Sequence, residues 1–82
     1  MSELGHDLHA LFPAQHDILH ALKLESAHYR LLADRHHELA QQIARIEGGL
    51  EPAADERLEA LKKQRLNLLD EVAAMIVQRQ AA

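Results

Sequence analysis

Histidine is the residue of this 82-residue chain with the most chemistry to offer, and there are seven. His16 and His20 stand four apart, a spacing that on a helix lets two imidazoles share one cation. A zinc site takes three or four protein ligands, and the chain has no cysteine to add to the pair. The favoured reading is therefore solvated surface histidine, with a histidine-based metal-binding hairpin as a lesser alternative, and no cofactor is expected. Lys62, Lys63 and Arg65 form the densest basic cluster, balanced nearby by Glu56, Glu59, Asp70 and Glu71. A formal net charge of −4 and only two aromatics, Phe12 and Tyr29, provide neither a basic stripe nor a platform for stacking bases. A nucleic-acid-associated accessory role is thus an alternative and not the leading reading. Ser2 and Ser26 have no base at a useful spacing, and no glycine-rich loop is present to cradle a phosphate. Carboxylates on exposed helix faces lack the surroundings that would tune them. No enzymatic activity and no catalytic residues are expected.

The elements that would position any of these groups are helical. The composition, 48% hydrophobic and 27% charged with almost no β signal, suits an all-α, coiled-coil-like chain. Residues 1 to about 10 are polar, and little order is expected there. Pro13 fits the first turn of a short helix over 13–23, with Ile18, Leu19 and Leu22 as its apolar side behind Phe12. Ser26 can cap a first long helix over 27–47, in which Tyr29, Leu32, His36, Leu39, Ile43 and Ile46 recur at spacings of three and four. Gly48, Gly49 and Pro52 end it and place a turn near 48–54. Asp55 and Glu56 suit the positive end of a second long helix over 55–79, where Leu58, Leu61, Arg65, Leu68, Val72 and Met75 continue the pattern and Leu69 and Ile76 join the same face. A turn this short makes the two long helices an antiparallel hairpin within a single domain.

Folding the chain about that turn brings His36 toward Arg65 and Tyr29 toward Val72. His36 on the packing stripe reads as an interior histidine, with a pH switch as the alternative. Arg65 lies inside an apolar arc with Leu61, Lys62, Leu68 and Leu69 three and four residues away, so no acid of its own helix can neutralise it. The expectation is that it bridges helices or chains by donating to a carboxylate or to carbonyls; in the alternative, its stem carries the charge out to water. No apolar stretch approaches the roughly 18 to 20 residues that span a bilayer, so no membrane insertion is expected. Absent cysteine and an N-terminus without the pattern of a secretion signal favour the cytoplasm.

HALFP (His9 to Pro13), HYRLLADRHHELAQQIARIE (His28 to Glu47) and above all LKKQRLNLLDE (Leu61 to Glu71) resemble the leader, first long helix and signature helix of the YdcH-like family of small bacterial proteins, a domain of unknown function. Leu69 departs from the lysine common in the family, and Tyr29 from its usual phenylalanine. The resemblance implies a helical hairpin without an established activity and supplies no catalytic residues. On the residues alone, the apolar arc of the second long helix spans about 200°, wider than one neighbour can cover. The expected role is therefore that of a small interaction or adaptor protein. It would form a homodimer or higher homo-oligomer through a helical bundle and bind a protein partner not identified by the sequence.

Overall fold

A computed structural model describes residues 6–81. Four helices follow one another: α1 (His6–Leu11), α2 (His16–Glu25), α3 (Ala27–Glu47) and α4 (Asp55–Ala81), with a short 3-10 turn, Pro13–Gln15, between the first two. No strand occurs among the described residues. The long helices α3 and α4, of 21 and 27 residues, pack against each other as the antiparallel hairpin that the periodicity predicts. Helices α1 and α2 fold back over the open end, α1 against α3 and α2 against both long helices.

The turn is a glycine device. Gly49 takes φ +78°, a left-handed conformation in which a Cβ would be strained. The Leu50 N–H then reaches back to the Arg45 carbonyl at 2.9 Å and the Gly49 N–H to that of Ile46 at 3.1 Å. That pair of bonds satisfies carbonyls which the end of α3 would otherwise leave without intrahelical donors. Asp55 and Glu56 occupy the first turn of α4, where the helix dipole favours negative charge.

At the other end, one residue both stops α2 and starts α3. Ser26 is extended (φ −121°, ψ 113°), and its Oγ accepts from the Tyr29 N–H at 3.0 Å. Its own N–H donates to the Leu22 carbonyl at 2.8 Å. Arg30 then closes the corner by donating from Nη1 to the Lys23 carbonyl, also at 2.8 Å. A single extended residue with both flanking helix ends capped makes a bend in place of a continuous rod. Helix α2 consequently runs to Glu25, two residues beyond the expected 13–23, and the segment from Pro13 begins as a 3-10 turn.

The expectation of little order over residues 1 to 10 is corrected for His6 onward, where α1 forms; residues 1–5 lie outside the described residues. The reason is Leu8, which is wholly buried in a cluster with Leu19, Leu22, Tyr29, Leu32, Ala33, Leu68, Val72 and Ile76. Six residues are far too few for an independently stable helix in water, so α1 owes its form to this docking.

Candidate functional site

Of the stripe residues predicted to face inward, Tyr29, Leu32, His36, Ile43, Leu61, Leu68, Val72 and Ile76 are buried. Leu39, Ile46, Leu58, Arg65 and Leu69 are half-buried at its edges. The predicted stripe is therefore the seam of the hairpin. Leu69, the apolar departure from the family pattern, packs against the core cluster, a place where an aliphatic side chain is at home. Leu8, outside the long helices, and Ala33, four residues after Tyr29 and three before His36 but not singled out in the sequence, are also buried.

Arg65 is half-buried, and among the described residues its guanidinium makes no hydrogen bond or ion pair, so within the chain it does not make the helix-to-helix bridge expected, while a bridge to a second chain stays an expectation. Its charge instead helps to hold the Glu47 carboxyl below the ordinary glutamate range, behind the larger effect of Lys62, whose Nζ donates to Glu47 Oε2 at 2.8 Å. Lys62 thus ties α4 to the last residue of α3. Arg65→Met, which keeps an unbranched stem, is expected to change the stability measured in urea melts by less than about 1 kcal/mol, because the charge it removes holds no ion pair within the chain.

A second tie joins the far end of α4 to the α2–α3 corner. Arg79 donates from Nη1 and Nη2 to the two carboxylate oxygens of Glu25, at 2.6 and 3.0 Å. The hydrogen bond and the charge of Arg79 lower the Glu25 pKa, and Glu25 raises that of Arg79 in return. Both glutamates, 25 and 47, have depressed folded-state pKa values, so their stabilisation is complete above the ordinary glutamate pKa and is lost as the pH falls through the folded one. Urea midpoints are accordingly expected to fall on acidification, and the double variant Glu25→Gln, Glu47→Gln to lose less over the same range than the parent protein.

From the sequence, His16 and His20 are expected to be solvated surface histidines. His16 and His20 are both exposed on α2, and the ring that His16 meets is that of His9 on α1, edge to face at 4.3 Å between centroids. Among the described residues, no three histidine, aspartate or glutamate side chains converge in a group that could hold a metal ion. Nor is any helix of the described residues long and apolar enough to cross a membrane.

A groove of about 450 Å³ lies along one side of the hairpin between α3 and α4. Leu32, Leu39, Leu61 and Leu68 make its floor, and Arg35, Glu38 and Glu71 are the charges of its rim. Leu31, 48% exposed, stands on the α3 flank of the same side, between Glu38 and Gln42 on the helical wheel. Leu32, Leu61 and Leu68 are already buried by the hairpin itself, so Leu39 is the floor leucine with surface left to cover, inside a rim that is polar. Leu66 and Val77 are also exposed, but on the other flank of α4.

Comparison with known proteins matches residues 30–76 to the family described as a protein of unknown function, DUF465. The chain is 34% identical over 68 residues to the uncharacterized protein YdcH of Escherichia coli (strain K12), an alignment covering 83% of this chain and 92% of that protein. It is equally similar to the uncharacterized YdcH of Shigella flexneri. No solved structure matches the chain.

Proposed function

The chain belongs to the YdcH-like family of proteins of unknown function, and from that premise we propose that it is a non-enzymatic helical interaction or adaptor protein of the cytoplasm, acting through self-association and through binding of a protein partner. The observation that carries this reading is the open groove between α3 and α4, whose four leucines form an apolar floor inside a polar rim. A two-helix hairpin has one packed seam, and the outer sides of its leucine arcs gain from a further helix laid along them. The absence of cysteine agrees with a reducing compartment.

Two measurements test the reading together. Light scattering across a micromolar to millimolar series reports self-association. Affinity capture from the native cytoplasm with the parent protein and with Leu39→Glu reports partners that depend on the groove. A chain monomeric throughout, capturing the same proteins with and without the groove substitution, would reject it.

A further inference from the structure

The groove has an internal symmetry that indicates what fills it. Each of its α3 residues is matched by the α4 residue 29 positions later: Leu32 by Leu61, Arg35 by Gln64, Glu38 by Asn67, Leu39 by Leu68 and Gln42 by Glu71. An antiparallel helix pair has a local two-fold axis perpendicular to both helices, and equal spacings on the two helices mean that this axis passes through the groove. The floor, two leucines from each helix, is the same read from either side. Such a surface presents the same leucines to a second copy in either sense, and whether the two copies are self-complementary, as a two-fold dimer requires, then depends on the rim.

The rim charges select the arrangement. Among the described residues lining the groove, Arg35 is the one cation, and neither it nor Glu38 is held in an ion pair within the chain. When a second copy is turned about an axis lying across the helices, its α3 runs antiparallel over the first α3. The groove spans 32 to 42 on α3, so its midpoint lies within about one residue rise, 1.5 Å, of the midpoint between Arg35 and Glu38. Arg35 of each copy then stands opposite Glu38 of the other, twice over, and Leu31 is covered by the crossing helix. The two Glu71 carboxylates remain at opposite ends of the groove, about 15 Å apart by helix rise, where their repulsion is largely screened.

We propose that this groove is the homodimer interface: two copies join about a two-fold axis, α3 against α3 and α4 against α4, with reciprocal Arg35–Glu38 ion pairs across it. The inference rests on the self-association part of the functional reading and names its surface and geometry. The rim pairs confer register and exclude the mispaired arrangement, while half-buried Leu39 and exposed Leu31 are the apolar groups that the contact covers.

Charge exchange tests it. Arg35 and Glu38 are both exposed, so Arg35→Glu and Glu38→Arg are expected to leave the helical circular dichroism of the chain intact. Each single variant sets like charges opposite one another, and its dimer Kd in sedimentation equilibrium at low salt is expected to rise by at least about tenfold. An equimolar mixture of the two variants restores both pairs, since the Arg35→Glu chain then faces the Glu38→Arg chain, and its Kd is expected to return to within about threefold of the parent. Two single variants that dimerise as tightly as the parent, or a mixture no tighter than either alone, would overturn the interface. If the dimer instead yields to Leu66→Glu and Val77→Glu, self-association stands and the groove assignment falls. A parent chain that is monomeric at every concentration overturns the dimer, and partner capture then decides whether the wider reading survives.

Discussion

Val72→Asp is expected to unfold the protein at room temperature, abolishing most of its helical circular dichroism in dilute buffer. Val72 is 0% exposed, on the α4 face that meets Tyr29, Leu32 and the docked α2 residues in one cluster. The substitution removes a buried aliphatic group, a loss of roughly 1.5 to 3 kcal/mol, and adds a carboxylate whose burial without a partner costs several more. A chain of 82 residues has a total stability of roughly 4 to 12 kcal/mol at the usual value per residue. The combined cost consumes most or all of it. The pH dependence identifies the cause: burial raises the pKa of an introduced carboxyl, so the penalty is full at neutral pH and shrinks as acid protonates the group. That is opposite in sign to the acid sensitivity conferred by Glu25 and Glu47. Val77→Asp is the control, five residues along the same helix and 62% exposed, and it should shift the urea midpoint only slightly. Equal losses at the two positions would mean that α4 does not pack as described.

The hairpin was legible in the sequence because its determinants are local. Three-four spacing fixes which side of a helix is apolar, and Gly48, Gly49 and Pro52 fix where it stops, whatever the rest of the chain does. What could not be read locally depends on tertiary contact. Leu8 begins only a short apolar run with Leu11 and Phe12, cut off by Pro13, and the corner at Ser26 and the kink at Pro13 bring it onto the core. The same kink pairs His9 with His16, while the regular spacing of His16 and His20 attracts attention to a pair that the fold leaves exposed. Arg65 was placed correctly on the wheel, yet a wheel records the direction of Cβ and not where four further bonds carry the charge. Leu66 and Val77 are apolar residues of the same helix, yet they stand in solvent. The groove symmetry was present in the sequence as an offset between two leucine pairs, but it acquires meaning only once the turn has set the register of α3 against α4.

Leu19→Ala is expected to cost about 2 to 5 kcal/mol and to lower the stability of the whole chain in a single transition, although Leu19 belongs to a helix of only 10 residues. Leu19 is 0% exposed, and it shares its cluster with Leu8 on α1, Tyr29 on α3 and Val72 and Ile76 on α4. Truncating it opens a cavity where all four helices meet, so the loss is felt by the hairpin as well as by the segment that carries it. The corner argues in the same direction. Ser26, Arg30 and the Arg79–Glu25 pair tie the end of α2 to α3 and α4 by hydrogen bonds, leaving no slack linker across which α2 could undock alone. Native-state hydrogen exchange separates cooperative loss from local fraying. In the cooperative case, amides of α2 and those near Ile43 lose protection together in Leu19→Ala. Ile43→Ala supplies the reciprocal test, since Ile43 is 2% exposed nearer the glycine turn and its loss should weaken α2 as well. If Leu19→Ala releases only residues before Ser26 and leaves the Ile43 region protected as in the parent, the N-terminal helices are a separately melting cap and the chain is two cooperative units.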